Sequence, residues 1–177
     1  EAERLSLGIS GEMANGFDMD LNYTYSAEQN EGKQPDTSTS RFLNAIRGGA
    51  GSPGTWNLFD STSNSQELID YISTAQGTFV DVELHVLDFV MTGTVNDLEV
   101  ATGFQMRKEH HDVARNDDSI AGFDANGNLA VPADLIFLGG GIETSASRSA
   151  YAIFAEAAKQ ASERVELRGA IRYEKDR

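Results

Sequence analysis

Two neighbouring segments near the start of the chain alternate strictly between apolar and polar residues. Such a period of two is typical of β-strands with one apolar and one polar face. The apolar positions are the odd ones, from Leu5 to Met13 and again from Phe17 to Tyr25. Because directly paired residues share a face, a three-residue turn at 14–16 brings Leu5 opposite Tyr25. The pattern therefore predicts an antiparallel hairpin.

Two further pairs of segments repeat this plan. Apolar positions are odd from Leu87 to Val95 and even after the Asn96-Asp97 pair, which predicts a two-residue turn there. The apolar residues from 80 to 86 have the opposite phase, so we expect a bulge near Val86. A third turn is predicted at about 159–163. In all, the sequence predicts six strands, at about 3–13, 17–26, 80–95, 98–109, 148–158 and 164–174.

The connections between these hairpins are long, at about 27–79 and 110–147. Short helices are predicted within the first of them, over 37–49 with Ser38 or Ser40 as the cap, and over 65–73. All short turns then lie at one end of the sheet and both long loops at the other. This is the plan of a bacterial outer-membrane barrel. The predicted fold class is mainly β: antiparallel up-and-down hairpins of a partial transmembrane β-barrel.

Composition and motifs argue against several classes of function. The formal net charge is −14, with no cluster of Lys and Arg, which argues against nucleic-acid binding. The chain has no Cys and no run of about 18 apolar residues. No Ser-His-Asp spacing, Gly-rich phosphate loop or zinc motif is present, and His110-His111 have no third histidine nearby in the sequence to complete a metal site. We therefore predict no enzyme activity, no cofactor and no metal.

Alternation alone leaves two interpretations of the apolar face open. In a soluble extracellular β-sandwich, acting as a binding or adhesion module, this face would pack inside the domain as its hydrophobic core. In a membrane barrel it would contact lipid. Loop asymmetry favours the barrel, as does the position of the aromatic residues, which resembles the two interfacial girdles of such barrels. These aromatic residues are Tyr23, Tyr25, Tyr151 and Tyr173 near the long loops, and Phe17 beside a short turn.

Six residues are candidates for ligand contact. Four are the arginines of the polar face, which would attract an anionic ligand. The competing interpretation is a structural network with Glu156, Glu166 and Glu174. The other two are the loop aromatics Trp56 and Phe59, which either contact ligand or anchor the loop in a local cluster. The four arginines are Arg107, Arg148, Arg168 and Arg172.

Six segments, spread in order over nearly the whole chain, carry recognisable motifs. They include a helix-and-glycine segment, an aromatic loop motif and strands that end in Arg and Glu. The segments are 36–48, Trp56-Asn57-Leu58-Phe59, 67–71, 101–109, 147–156 and 165–174. Each motif is only moderately specific, but the ordered set resembles the barrel region of TonB-dependent outer-membrane receptors.

The resemblance implies a segment of an active transporter in the bacterial outer membrane. Such receptors take up scarce nutrients such as iron chelates (siderophores), cobalamin or carbohydrates. The implied partners are the nutrient, the lipid bilayer and an inner-membrane energy-coupling complex that acts through a plug domain. No plug is recognised in these residues, and six strands are fewer than such a barrel needs. We therefore expect an interior fragment that self-associates through its sheet edges or its apolar face.

Overall fold

A computed structural model describes all of residues 1–177. Its principal feature is a six-stranded antiparallel sheet in which successive long strands are neighbours, as predicted. The strands of this sheet, in spatial order, are β1 (Ala2–Glu12), β2 (Asp18–Thr37), β3 (Ser73–Val95), β4 (Leu98–Arg115), β7 (Thr144–Ser162) and β8 (Val165–Asp176).

The remaining elements lie in the two long connections. Helix α1 (Thr39–Ile46) begins after Ser38, whose side chain accepts a hydrogen bond from Arg41 N. Helix α2 (Gln66–Ile72) is capped in the same way by Ser65. Both predicted helices are therefore confirmed, and Ser38 rather than Ser40 is the cap of the first. None of the helices is long and apolar enough to span a lipid bilayer. Short strands β5 (Gly122–Phe123) and β6 (Leu129–Val131), which the sequence pattern did not predict, form a separate hairpin.

The first hairpin has the predicted register. Leu5 pairs with Tyr25 and Ile9 with Leu21. The turn closes with a hydrogen bond from Met13 N to Phe17 O of 2.7 Å, and Gly16 adopts a positive φ of 80°. Glycine takes this left-handed conformation without the strain that a Cβ would introduce.

The second turn also has the predicted length. Its two residues, Asn96 and Asp97, have φ angles of 48° and 62°, a conformation that short polar side chains tolerate. The third turn lies at 163–164 rather than at about 159–163, because β7 continues to Ser162 through an irregularity after Gln160.

Four strands are longer than the sequence pattern predicted: β2, β3, β4 and β7. Strand β2 continues to Thr37 and β3 begins at Ser73, so the first connection is 38–72 rather than 27–79. The second connection is 116–143 rather than 110–147. The added strand residues are mostly polar and do not alternate, so the period of two did not mark them as strand. They can still pair, because the backbone hydrogen bonds of a strand do not require alternating side chains.

Contacts of β3 show its faces from His85 onwards, and the bulge expected near Val86 stays a prediction. His85 contacts Tyr23 and Tyr25, and the Phe17 ring lies over Gly93. The odd residues of β3 from 85 to 93 therefore share the apolar face of β2. Because side chains alternate, Val86 lies on the polar face.

The chain divides into two compact units. The sheet unit comprises Glu1–Gln29, Asp81–His111 and Ser145–Arg177, and it contains all three short turns. The connection unit comprises Asn30–Val80 and Asp112–Thr144, and it contains both long connections.

Hydrophobic burial is confined almost entirely to the connection unit. One buried cluster consists of Ala45, Leu68 and Ile72, and a second of Ala121, Ala133 and Leu135. In the sheet unit the only buried apolar residues are the small Ala150 and Ala152. Large apolar side chains of the sheet unit remain exposed: Leu5, Leu7, Ile9, Ile153, Leu167 and Ile171 among others.

Gly103 marks a position in β4 where two neighbours approach the backbone. A Cβ there would meet the carbonyl oxygen of Phe89, which is backbone and cannot turn aside, and the ring of Phe154 at 2.7 Å. We expect Gly103→Ala to lower the free energy of unfolding by about 1–3 kcal/mol, the range typical of overpacking. Gly169→Ala in β8 is the matched control, because nothing lies within 4 Å of its Cβ position. Equal urea midpoints for the two variants would contradict this packing.

Candidate functional site

Each of the four candidate arginines of the sheet unit is held in an ion pair. In three pairs the partner lies two residues away along the same strand, where side chains share a face. Exposed pairs of this kind contribute little to stability. The pairs are Arg107–Glu109 at 3.0 Å, Arg148–Asp176 at 2.9 Å, Arg168–Glu166 at 2.5 Å and Arg172–Glu174 at 3.0 Å.

Arg172 also belongs to a wider network on the polar face. Its guanidinium donates to Gln105 Oε1 at 3.3 Å, and Gln105 Nε2 donates to Asp88 Oδ1 at 2.6 Å. Of the three glutamates predicted as partners, Glu166 and Glu174 are paired in this way, whereas Glu156 forms no ion pair. The guanidinium charges are compensated within the sheet, which favours a structural role over attraction of an anionic ligand.

Trp56 anchors the first connection. Its ring packs against the buried cluster of Ala45, Leu68 and Ile72 and meets the Phe42 ring edge-on, with 5.7 Å between centroids. Its backbone N–H donates to Ala45 O at 3.0 Å. The geometry matches the anchoring interpretation rather than ligand contact.

Phe59 has the opposite environment, with its side chain fully exposed. The surrounding turn is nevertheless fixed by side-chain hydrogen bonds. Asn57 Oδ1 accepts from the backbone of Phe59 at 2.9 Å and of Asp60 at 3.1 Å, and Asn64 Oδ1 accepts from Asn57 N at 2.8 Å. Of the two aromatics, only Phe59 is fully exposed.

Asp134 binds the first connection to the second. Its carboxylate accepts from Ser38 Oγ at 2.5 Å, from Ser40 N at 2.6 Å and from Ser40 Oγ at 2.7 Å. Ser38 is completely buried and is also the cap of α1. The start of the helix is therefore fixed to a residue 96 positions away in the sequence.

Asp36, at the end of β2, makes a second bridge. Its carboxylate accepts from Leu138 N at 2.8 Å and Phe137 N at 3.1 Å, as well as from its own neighbour Thr37 N at 2.6 Å. Ile136 N donates to Thr37 O at 3.0 Å beside it. The 136–138 backbone is thus held against the start of the first connection.

A third bridge uses the 116–119 segment. Arg41 of α1 donates to Asp118 at 2.5 Å, and Thr74 donates to the same carboxylate oxygen. Gly77 N donates to Asn116 Oδ1 at 2.7 Å and to the buried Ser119 Oγ at 3.0 Å. We call the three bridges together the polar clasp, which comprises Asp36, Ser38, Ser40, Arg41, Thr74, Gly77, Asn116, Asp118, Ser119 and Asp134.

The clasp keeps its two central carboxylates charged. Burial raises the pKa of Asp36, but backbone donors from Thr37, Phe137 and Leu138 outweigh it and leave that pKa below its ordinary value. Burial likewise raises the pKa of Asp134, but bonds from Ser38 and Ser40, together with the Arg41 charge, produce a net lowering. A carboxylate that accepts several hydrogen bonds is stabilised in its ionised form.

The clasp is expected to weaken in acid. Because both folded-state pKa values lie below the ordinary value of about 3.9, its ionic stabilisation is present above that pH and is lost as pH falls through the lowered values. Hydrogen-exchange protection of the Phe137 and Leu138 amides should therefore fall on acidification. The Asn57 amide, bonded to the neutral Asn64, is the internal control. Parallel loss at all three amides would contradict a carboxylate-specific effect.

Sequence reasoning missed the clasp. Ser38 was recognised as a helix cap, but nothing local in the sequence indicates its partner Asp134. The only available signal was a cluster of Asn, Asp and Ser residues at 116–119, which is typical of any turn.

No family model, curated protein or solved structure matches this chain.

Proposed function

We propose that this chain forms part of the wall of an outer-membrane β-barrel receptor for active nutrient uptake, of the TonB-dependent kind that its motifs resemble. The apolar face of the sheet unit would contact the lipid of the outer membrane. In the intact receptor the cargo is a scarce nutrient of the iron-chelate, cobalamin or carbohydrate type. An inner-membrane complex acting through a plug domain would supply the energy.

The observation that carries this proposal is the exposed apolar face of the sheet unit. Leu7, in the middle of β1, is 60% exposed, and Ile9 and Leu167 are similar. Burying such a side chain is favourable by about 1.5–3 kcal/mol. A soluble sandwich would bury this face against a second sheet, whereas lipid would cover it in a membrane barrel.

The position of Tyr23 and Tyr25 also supports a sheet that spans a membrane. The hydroxyl of Tyr23 lies 2.8 Å from His85 Nδ1, and the Tyr25 ring lies over the same histidine with 5.0 Å between centroids. These amphipathic rings are near the end of the sheet unit that leads into the first connection. A band of Tyr and His at that level fits a membrane–water interface.

Phe59 is the residue we propose for cargo contact. It is fully exposed on a turn fixed by Asn57 and Asn64, so a ligand would meet an aromatic side chain at low cost in backbone entropy. The four arginines are not proposed for cargo contact, because carboxylates within the sheet compensate their charges.

Fractionation of cells that express the full-length protein tests the proposal. We expect it in the outer-membrane fraction, resistant to high salt and carbonate and extracted only by detergent. Release without detergent would overturn the proposal and favour the soluble binding or adhesion module.

A further inference from the structure

We propose that the two long connections, 38–72 and 116–143, move as one body that is locked by the polar clasp. The coupling itself goes beyond the proposed function and does not depend on it; only the part given below to Phe137 in ligand capture rests on the proposed role of Phe59. It concerns how the connections are coupled, wherever the protein resides.

The buried polar residues of the chain all belong to the polar clasp. Among the polar and charged residues of the chain, three are classed as buried: Asp36, Ser38 and Ser119. Each of them bonds to the other connection or to the strand that adjoins it, through Phe137 and Leu138, Asp134 and Gly77 respectively. No buried side-chain donor or acceptor is left without a partner. Polar groups buried in this way are costly unless all their bonds are made, so they favour one arrangement of the two connections.

The hydrophobic clusters do not supply this coupling. One cluster, with Trp56 packed against it, belongs entirely to the first connection. The other, of Ala121, Ala133 and Leu135, belongs entirely to the second. Each connection therefore has its own small core, and directional hydrogen bonds join the two. Loss of a few such bonds would release one core from the other without dissolving either.

Coupling gives the second connection a part in ligand capture. Phe137 is 79% exposed, yet its backbone N–H is fixed by the Asp36 carboxylate. Phe59 is presented by the first connection. If the connections move together, a ligand that displaces the Phe59 turn also displaces Phe137. If they move independently, it does not.

Distance measurement between spin labels tests the coupling directly in the full-length protein. The chain contains no Cys, so labels can be introduced at the exposed Glu67 and Ala125, one in each connection. We expect a single narrow distance distribution for the otherwise unaltered protein. Asp134→Asn, which removes the charge but keeps the size, should broaden it into several populations. Ser40→Ala, at an exposed position, should broaden it less and leaves no buried group unpaired.

Asp60→Ala is the matched control, because Asp60 caps a turn within the first connection through Thr62 at 3.0 Å. It should leave the distribution narrow. A broad distribution without substitution, an unchanged one in Asp134→Asn, or equal broadening in Asp60→Ala would each overturn the proposal.

Hydrogen exchange provides a second readout that does not need labels. In Asp36→Ala the Leu138 amide should exchange about ten- to hundredfold faster, the effect expected when a hydrogen bond to a charged group is lost. Unchanged exchange there would contradict the role of Asp36. Neither experiment depends on membrane location, so its failure is distinguishable from failure of the proposed function.

Discussion

Replacing Leu7 with Arg is expected to lower the free energy of unfolding from a bilayer by about 2–4 kcal/mol, the cost of a cationic side chain near the membrane midplane of a barrel. Leu7 is the central residue of β1, pairs with Tyr23 and points from the apolar face. Urea titration of the full-length protein refolded into lipid vesicles would measure the change. If the apolar face were in water, the same substitution would alter stability by no more than about 0.5 kcal/mol.

Ser6→Arg provides the control for Leu7→Arg. Ser6 is the adjacent residue, at nearly the same depth but on the polar face, where its hydroxyl lies 3.3 Å from that of Thr24. We expect this variant to insert almost normally, since the new charge would face an aqueous interior. Equal losses of stability in the two variants would contradict the assignment of one face to lipid and the other to water.

Trp56→Ala is expected to destabilise the first connection by about 3 kcal/mol, the lower end of the range for large aromatic truncations, because the side chain is only partly buried. The substitution removes the edge-on contact with Phe42 and the packing on Leu68 and Ile72. Hydrogen exchange of the α1 and α2 amides measures this local stability. We expect protection to fall in both helices, because both contribute to the one cluster.

Phe59→Ala, three residues away, separates anchoring from presentation. Its side chain is fully exposed, so its removal should change local stability by no more than about 0.5 kcal/mol. Its effect should instead appear in ligand affinity. If Phe59→Ala reduced helix protection as much as Trp56→Ala does, the assignment of separate roles to the two aromatics would be wrong.

Much of the sheet could be predicted because its signals are local. The parity of apolar positions across 14–16 and across Asn96-Asp97 fixed the turn lengths, and the observed register of the first hairpin follows from it. The caps of α1 and α2 were equally local. A hairpin turn and a helix cap depend on a few neighbouring residues, so the sequence carries their signal directly.

Strand ends were less predictable. The polar residues from Glu28 to Thr37 do not alternate, yet they belong to β2. The hairpin of β5 and β6 was not predicted, because strands of two and three residues are too short to show an alternation of apolar and polar residues.

The sequence by itself determined the alternation of faces, the short turns and the two capped helices, since each of these depends on residues close together in the chain. Only the tertiary structure decided which loop aromatic packs against a buried cluster, which arginines are paired and how Asp36 and Asp134 join the two connections. The clasp bonds Ser38 to Asp134 across 96 positions. Hydrogen bonds between residues so distant form only when the fold brings both partners together, and no short pattern in either segment specifies the other.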